Sequence, residues 1–178
     1  LVATRTFFKA TAAQLRWSPD GEGLLIPAHV DVDTGGKAYY GDSGLQYMSA
    51  AGAVSSVRLS KEGPIHDVQW APSGGEFIVL FGYSPARAAL YSAAGKELLL
   101  KHDFGENARN TVRWAPHGRG FILAGFGNLG GELSFWDRKS LTCLATVDAH
   151  MTVVHEWAPD SRSFLTAILW PRLRVDNG

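Results

Sequence analysis

This chain reads as all-β, and three observations predict it. A Trp-x-Pro turn recurs four times, as Trp17-Ser18-Pro19-Asp20-Gly21, Trp70-Ala71-Pro72-Ser73-Gly74, Trp114-Ala115-Pro116-His117-Gly118 and Trp157-Ala158-Pro159-Asp160-Ser161. The tryptophans stand 53, 44 and 43 residues apart. Each turn is followed by a short apolar run of strand length, and no segment sustains an apolar period of 3.6 residues, so no helix longer than a turn is expected. A repeat of about 40–45 residues that carries four strands is the signature of propeller blades. The predicted architecture is therefore part of one β-propeller domain over residues 1–178, about three and a half four-stranded blades of a larger whole. The blades fall near residues 12–62, 63–106, 107–150 and 151–178, the last incomplete.

Residues 1–11 contain Phe7-Phe8 and read as the tail of a preceding blade. Gln14 to Trp17 makes a short first strand. Pro19-Asp20-Gly21 then turns the chain, because Pro presets φ and Gly accepts φ > 0. Leu24-Leu25-Ile26 begins the second strand, which leads into a polar loop from His29 to Lys37. Ala38-Tyr39-Tyr40 and Leu45 to Met48 add β-type residues, and Val54 to Leu59 alternates and closes blade one. Lys61-Glu62-Gly63-Pro64 connects to blade two, whose first strand is Ile65 to Trp70 at a period near two. Phe77 to Phe81 is continuously apolar and is expected to be buried on both faces. Gly82 to Arg87 reads as a turn. Ala88 to Tyr91 and Glu97 to Leu100 follow as strands three and four, joined by the hairpin signal Ala94-Gly95-Lys96.

Blade three repeats this plan, with the glycine-rich turn Gly125 to Gly131 between Phe121-Ile122-Leu123-Ala124 and a run ending in Trp136-Asp137. In blade four the second strand is Phe164 to Leu169 and the third begins near Arg172. In every blade the tryptophan is read as an apolar wedge between blades, and the proline after it ends the strand because it cannot donate to a ladder. Three and a half blades do not close a ring, so an open arc with exposed blade faces is expected.

Composition narrows the function. Seventeen basic and 17 acidic side chains leave a formal charge of zero, which lacks the cationic excess of a bulk nucleic-acid grip. The single cysteine, Cys143, cannot form an internal disulfide, which favours a reducing compartment. It lies in the apolar run Leu141 to Val147 and is expected to be buried and inert. No apolar stretch approaches the roughly 20 residues of a membrane helix, and no signal-peptide pattern is present. Lacking an initiator Met and ending inside a repeat, the sequence reads as a piece of something longer.

The six histidines, at 29, 66, 102, 117, 150 and 155, lack metal-ligand spacing. Gly41-Asp42-Ser43-Gly44 echoes a protease nucleophile segment without its following Gly-Pro or its catalytic context. Asp31-x-Asp33-x-Gly35-Gly36 with Asp42 fails the calcium-loop pattern at its fifth and twelfth places. No nucleophile elbow, P-loop or dinucleotide fingerprint occurs. The reading is of a non-enzyme with no cofactor, no metal and no small-molecule substrate.

What varies between blades is the connection from second to third strand, and in a propeller these connections share one rim. Blade two offers Tyr83, Pro85 and Arg87 there, blade three Phe126, Asn128 and Leu129, and blade four Trp170, Pro171, Arg172 and Arg174. Aromatic and arginine side chains gathered on loops suit a protein or RNA partner. Tyr83, Arg87, Phe126, Asn128, Leu129, Arg172 and Arg174 are therefore the candidate partner-binding residues. The plainer alternative has the aromatics folding back onto their blades.

Ala149-His150 and Trp136-Asp137 are similar to the Gly-His and Trp-Asp elements of WD repeats, although Asn128-Leu129-Gly130 replaces the acidic turn residue. Several segments are more specific. They are Gly63-Pro64-Ile65-His66-Asp67-Val68-Gln69-Trp70, Gly82-Tyr83 to Ala86, Ala115-Pro116-His117-Gly118, Ala124-Gly125-Phe126-Gly127-Asn128-Leu129 and Pro171-Arg172-Leu173-Arg174-Val175-Asp176-Asn177-Gly178. In this order the chain resembles, over about residues 38–178, the propeller of the eukaryotic translation initiation factor 2A family. The resemblance implies a nine-bladed propeller in a cytoplasmic, non-catalytic factor. Such a factor associates with the small (40S) ribosomal subunit and supports delivery of initiator tRNA without GTP hydrolysis. It implies a docking platform, with tRNA contacts made by regions outside this sequence. The alternatives are the related propeller of initiation factor 3, a generic WD-repeat adaptor, and a TolB-like accessory propeller.

Overall fold

Turn chemistry and apolar alternation place fifteen strands in the computed structural model, which describes residues 2–6, 10–29, 43–94 and 97–168. The first sheet holds β1 (Ala12–Ala13), β2 (Arg16–Trp17), β3 (Gly23–His29), β4 (Gly44–Ser49) and β5 (Val54–Ser56). Both β1 and β2 pair with β3, so they are two parts of one interrupted outer strand. The second sheet runs in the order β6 (Ile65–Trp70), β7 (Glu76–Phe81), β8 (Ala86–Ser92), β9 (Leu99–Asn107). The third runs β10 (Thr111–Trp114), β11 (Gly120–Ala124), β12 (Glu132–Asp137), β13 (Cys143–Asp148). The fourth pairs β14 (Val154–Trp157) with β15 (Phe164–Ala167). All pairings are antiparallel, and no helix occurs among the described residues.

The four Trp-x-Pro turns sit where the first strand of each sheet hands over to the second. In each, a backbone N–H two residues after the proline donates back into the turn, as in Gly21 to Ser18, Gly74 to Ala71, Gly118 to Ala115 and Ser161 to Ala158. Gly21, Gly74 and Gly118 have φ of 75°, 70° and 66°, which glycine adopts without steric cost. Ser161 fills the equivalent place at φ 62°.

The core lies between sheets, not within any one of them. Every residue of β7 is buried, and its side chains alternate between two clusters. Phe77, Val79 and Phe81 pack with Leu25, Leu45 and Tyr47 of the first sheet. Ile78 and Leu80 pack with Val112, Phe121 and Leu123 of the third. The same alternation in β11 sends Ile122 and Ala124 toward Trp157 and Phe164 of the fourth sheet. A strand buried on both faces reads as an unbroken apolar run, as Phe77 to Phe81 does.

The repeated tryptophans tie these layers together by direct bonds. The Trp70 indole N–H donates to the Arg16 carbonyl at 2.8 Å, Trp114 to Gln69 at 3.3 Å, and Trp157 to Arg113 at 3.2 Å. Each acceptor is the residue just before the tryptophan of the preceding sheet. Trp17 has no such partner among the described residues and is 60% exposed.

Two carboxylates with side chains little more than a tenth exposed add polar links. Asp67 accepts from Arg113 Nη1 at 2.8 Å, from the Val112 amide at 3.2 Å and from Gln69 at 3.1 Å, and faces Arg16 Nη1 at 3.4 Å. It thereby joins the first strands of three sheets. Glu76 accepts from Lys101 Nζ at 2.6 Å and from Arg138 Nε at 2.9 Å, and Arg138 also lies 5.9 Å from the centre of the Trp114 ring.

Three expectations need correction. Arg87 lies in β8, paired with Phe81 and Glu106, and not in a turn. The turn is shorter because Gly82, at φ 92°, reverses the chain at once. The last strand of the second sheet is longer than Glu97 to Leu100, because bulges opposite Arg87 and Leu90 let β9 follow β8 to Asn107. Cys143 is exposed, as is all of β13. β13 is the outermost strand of its sheet, and Leu141 turns the chain at φ 55° before it, so the apolar run has no layer to enter. Exposed apolar side chains such as Leu144 and Leu165 agree with the expected open blade faces. The predicted loop and strand residues from 30 to 42, the centre of the Gly95-Lys96 hairpin and the residues from 169 onward lie outside the described residues.

Candidate functional site: a groove on one rim

The connections between second and third strands of the second and third sheets share a rim, and a groove of about 680 Å³ runs along it. His29 contributes from the end of β3, and Pro64, Ile65 and His66 from the start of β6. Ser84 and Ala86 come from the β7–β8 connection, Arg109 and Asn110 from the approach to β10, and Phe126, Gly127, Asn128 and Leu129 from the β11–β12 loop. Starts of first strands, ends of second strands and starts of third strands meet at one end of an antiparallel blade. Three sheets therefore contribute to one groove.

The β11–β12 loop is rigidly built. Gly125 packs so closely that a Cβ there would lie 2.0 Å from the Ala108 carbonyl oxygen. The Gly131 amide donates to Gly125 O at 2.8 Å and closes the loop. Asn110 clamps its other side: Asn110 Nδ2 donates to Phe126 O at 2.9 Å, and the Phe126 amide donates to Asn110 Oδ1 at 3.1 Å. The Phe126 ring is buried and stacks on His155, with centroids 4.5 Å apart. Burial and the nearby Arg113 push His155 below the ordinary imidazole value. Asn128 is exposed and Leu129 half-buried. His150 Nδ1 lies 3.4 Å from the Gly130 carbonyl, so a backbone oxygen meets this histidine where a WD repeat carries an acidic residue.

The predicted residues thus divide. Phe126, Asn128 and Leu129 line the groove together. Tyr83 and Arg87 do not line it and turn toward the connection between the first two sheets: the Tyr83 amide donates to Glu62 O, and Arg87 pairs with Asp103 at 3.0 Å and reaches Ser60. Tyr83 is 40% exposed. Arg172 and Arg174 lie outside the described residues. Sequence reasoning passed over His29, His66, Arg109 and Asn110. His66 points a ring nitrogen at Gly82 O at 2.8 Å. Arg109 is 7% exposed, and its Nη1 has no hydrogen-bond partner among the described residues. Burial pushes its guanidinium below the ordinary arginine value, against the opposing influence of Glu132 and Asp103. A lone arginine in a short connection carries no periodic signal, so only the fold discloses it. Among the described residues no group of three or more His, Cys, Asp or Glu is placed to hold a metal, and no helix is long and apolar enough to cross a membrane.

Comparison with known proteins gives the lineage. The family model "Eukaryotic translation initiation factor eIF2A" matches residues 5–178. Eukaryotic translation initiation factor 2A of Dictyostelium discoideum is 43% identical over 172 residues, 97% of this chain and 28% of that protein. Its counterpart of the same name in Drosophila melanogaster is 41% identical over 177 residues, 99% of this chain and 27% of that protein. The chain therefore spans little more than a quarter of either relative. A crystal structure described as that of the eukaryotic initiation factor superposes with a TM-score of 0.81 at 34% identity, covering 98% of this chain and 40% of that one. With a family model matched over nearly its full length and the same sheet arrangement in a solved initiation factor, this chain belongs to the eukaryotic translation initiation factor eIF2A family.

Proposed function

We propose that this region is a non-catalytic docking platform of a cytoplasmic translation initiation factor. It seats on the small ribosomal subunit and supports GTP-independent delivery of initiator tRNA, with tRNA contacts made outside residues 1–178. The reading treats the chain as part of one propeller with blade boundaries near residues 62, 106 and 150. Family membership supports the role in initiation. The observation that carries the docking reading is the rim groove, to which three successive sheets contribute and whose β11–β12 loop presents Asn128 and Leu129, while Tyr83, next to the lining residue Ser84, is exposed. Loops held by a rigid sheet scaffold are where binding residues concentrate. The zero net charge favours docking through a shaped surface over bulk capture of nucleic acid.

The test is co-sedimentation with purified small ribosomal subunits. Phe126 is buried and Arg87 is held by Asp103, so the informative variant changes only outward side chains: Tyr83→Ala, Asn128→Ala and Leu129→Ala. A second variant adds Arg172→Glu and Arg174→Glu. At unchanged melting temperature, loss of co-sedimentation supports the rim as the docking surface. Binding that is unchanged in both variants removes the rim from the proposal.

A further inference from the structure

The rim groove holds a charge that no described residue satisfies. Arg109 is more than nine-tenths buried, its Nη1 is enclosed without a partner, and its guanidinium makes no hydrogen bond or ion pair among the described residues. A buried polar donor left unpaired costs free energy, and a buried charge costs more. The carboxylates whose fields reach it are engaged elsewhere. Glu132 Oε1 accepts from Asn107 Nδ2 at 2.6 Å. Asp103 is held by Arg87 at 3.0 Å and by the Gly105 amide at 2.9 Å. Three other polar side chains of the groove are also occupied: His29 faces Ser43 Oγ, His66 is set against Gly82 O, and Asn110 clamps the backbone of Phe126.

The walls around Arg109 are mainly apolar, from Pro64, Ile65, Ala86, Phe126 and Leu129. No lysine and no second arginine lines the groove among the described residues. A phosphate backbone recruits several cations at once. A single guanidinium in an apolar trough instead matches one carboxylate, which it can hold by two parallel N–H···O bonds. We propose that the groove binds a peptide segment of a partner protein, in which one acidic side chain flanked by apolar residues places its carboxylate on Arg109. This goes beyond the docking reading by naming the chemistry of what is bound, and it is tested without ribosomal subunits, so either can fail alone.

The probe is the capped peptide acetyl-Gly-Leu-Glu-Leu-Gly-amide against its Gln counterpart, titrated into the full chain by amide-resolved NMR, with a ten-residue oligouridylate as the phosphate control. The Glu peptide is expected to shift resonances of the Phe126–Leu129 loop and to bind at least tenfold more tightly than the Gln peptide. Arg109→Gln is expected to bring the two peptides to the same affinity. Should Arg109→Gln fail to fold, Leu129→Glu decides, because it leaves the arginine in place and sets a competing carboxylate on the groove wall; it is expected to weaken the Glu peptide tenfold. Equal binding of the two peptides to the unmodified chain, or no binding of either, overturns the proposal. Oligouridylate binding that is lost in Arg109→Gln assigns the site to phosphate and also overturns it. So does a tenfold gain in Glu-peptide affinity on changing Asp31, Asp33 and Asp42 to Asn, which would give the guanidinium to the chain's own carboxylates.

Discussion

Asp67 and Glu76 show how much a single carboxylate can do when partners from different sheets converge on it. Asp67 receives Arg113, Gln69 and the Val112 amide and faces Arg16. Asp67→Ala takes the counter-charge from Arg16 and Arg113, which keep the carbonyls of Val68 and Val112, and leaves the Val112 amide without its acceptor. A fully buried pair would cost about 3–5 kcal/mol to break. Because the arginines are a third or more exposed, the expected loss is nearer about 2 kcal/mol, read as a lower denaturant midpoint. Glu76 is one source of pH dependence. Burial pushes its carboxyl up, but the hydrogen bonds and charges of Lys101 and Arg138 outweigh this and hold it below the ordinary glutamate value. A carboxyl depressed in the folded state contributes stability that is present above its unfolded value and is lost as pH falls through the folded value. Glu76→Gln should therefore flatten the acid limb of stability between about pH 5 and pH 3 and leave its shape near neutrality unchanged, as measured by urea unfolding across that range. Cys143 gives a simpler check. Its exposure predicts one thiol equivalent reacting with a disulfide reagent without denaturant; a thiol reactive only after unfolding would contradict its place on β13.

Among the strands, β7 and β13 are opposites built from similar residues. β7 lies between two sheets, so adjacent residues serve different cores. Phe77→Ala and Ile78→Ala should each cost about 3 kcal/mol or more although they point in opposite directions. Leu144→Ala on β13 should cost less than about 0.5 kcal/mol, because its side chain is 68% exposed. The β11–β12 loop permits a similar contrast. Gly125→Ala must push a methyl into the Ala108 carbonyl and should disrupt the loop. Gly127→Ala meets open space and bears only the cost of a positive φ, about 1 kcal/mol. Thermal melts of the pair separate steric from conformational cost.

Across the fold, burial falls from the second sheet outward, and hydrogen exchange should follow it. Amides of β7, β8 and β11 are expected to exchange slowest and those of β13 to β15 fastest. Uniform protection by mass spectrometry would contradict a core divided among seams. Much of this fold is legible in the sequence because it is local. The Trp-x-Pro turns, the doubly buried Phe77 to Phe81 and the first strand Ile65 to Trp70 all rest on patterns within a few residues. What escapes such reading depends on distance along the chain. Asp67 and Arg113 are 46 residues apart, Glu76 and Arg138 are 62 apart, and no period relates either pair. Cys143 misleads because an apolar run discloses composition and not whether a neighbouring layer covers it. The rim is foreseeable as a shared surface, and Phe126, Asn128 and Leu129 do meet there. Arg109, an isolated charge in a connection, leaves no trace to read.

The tryptophan bonds have a geometric corollary. Each indole reaches the same relative carbonyl on the sheet before it, at 2.8, 3.3 and 3.2 Å. A contact repeated at one offset gives each of these sheets the same seat on the sheet before it. Because every one of these bonds ends on a backbone carbonyl, substitution of Arg16, Gln69 or Arg113 leaves the acceptor in place, and only the tryptophan side of each seam is open to mutation.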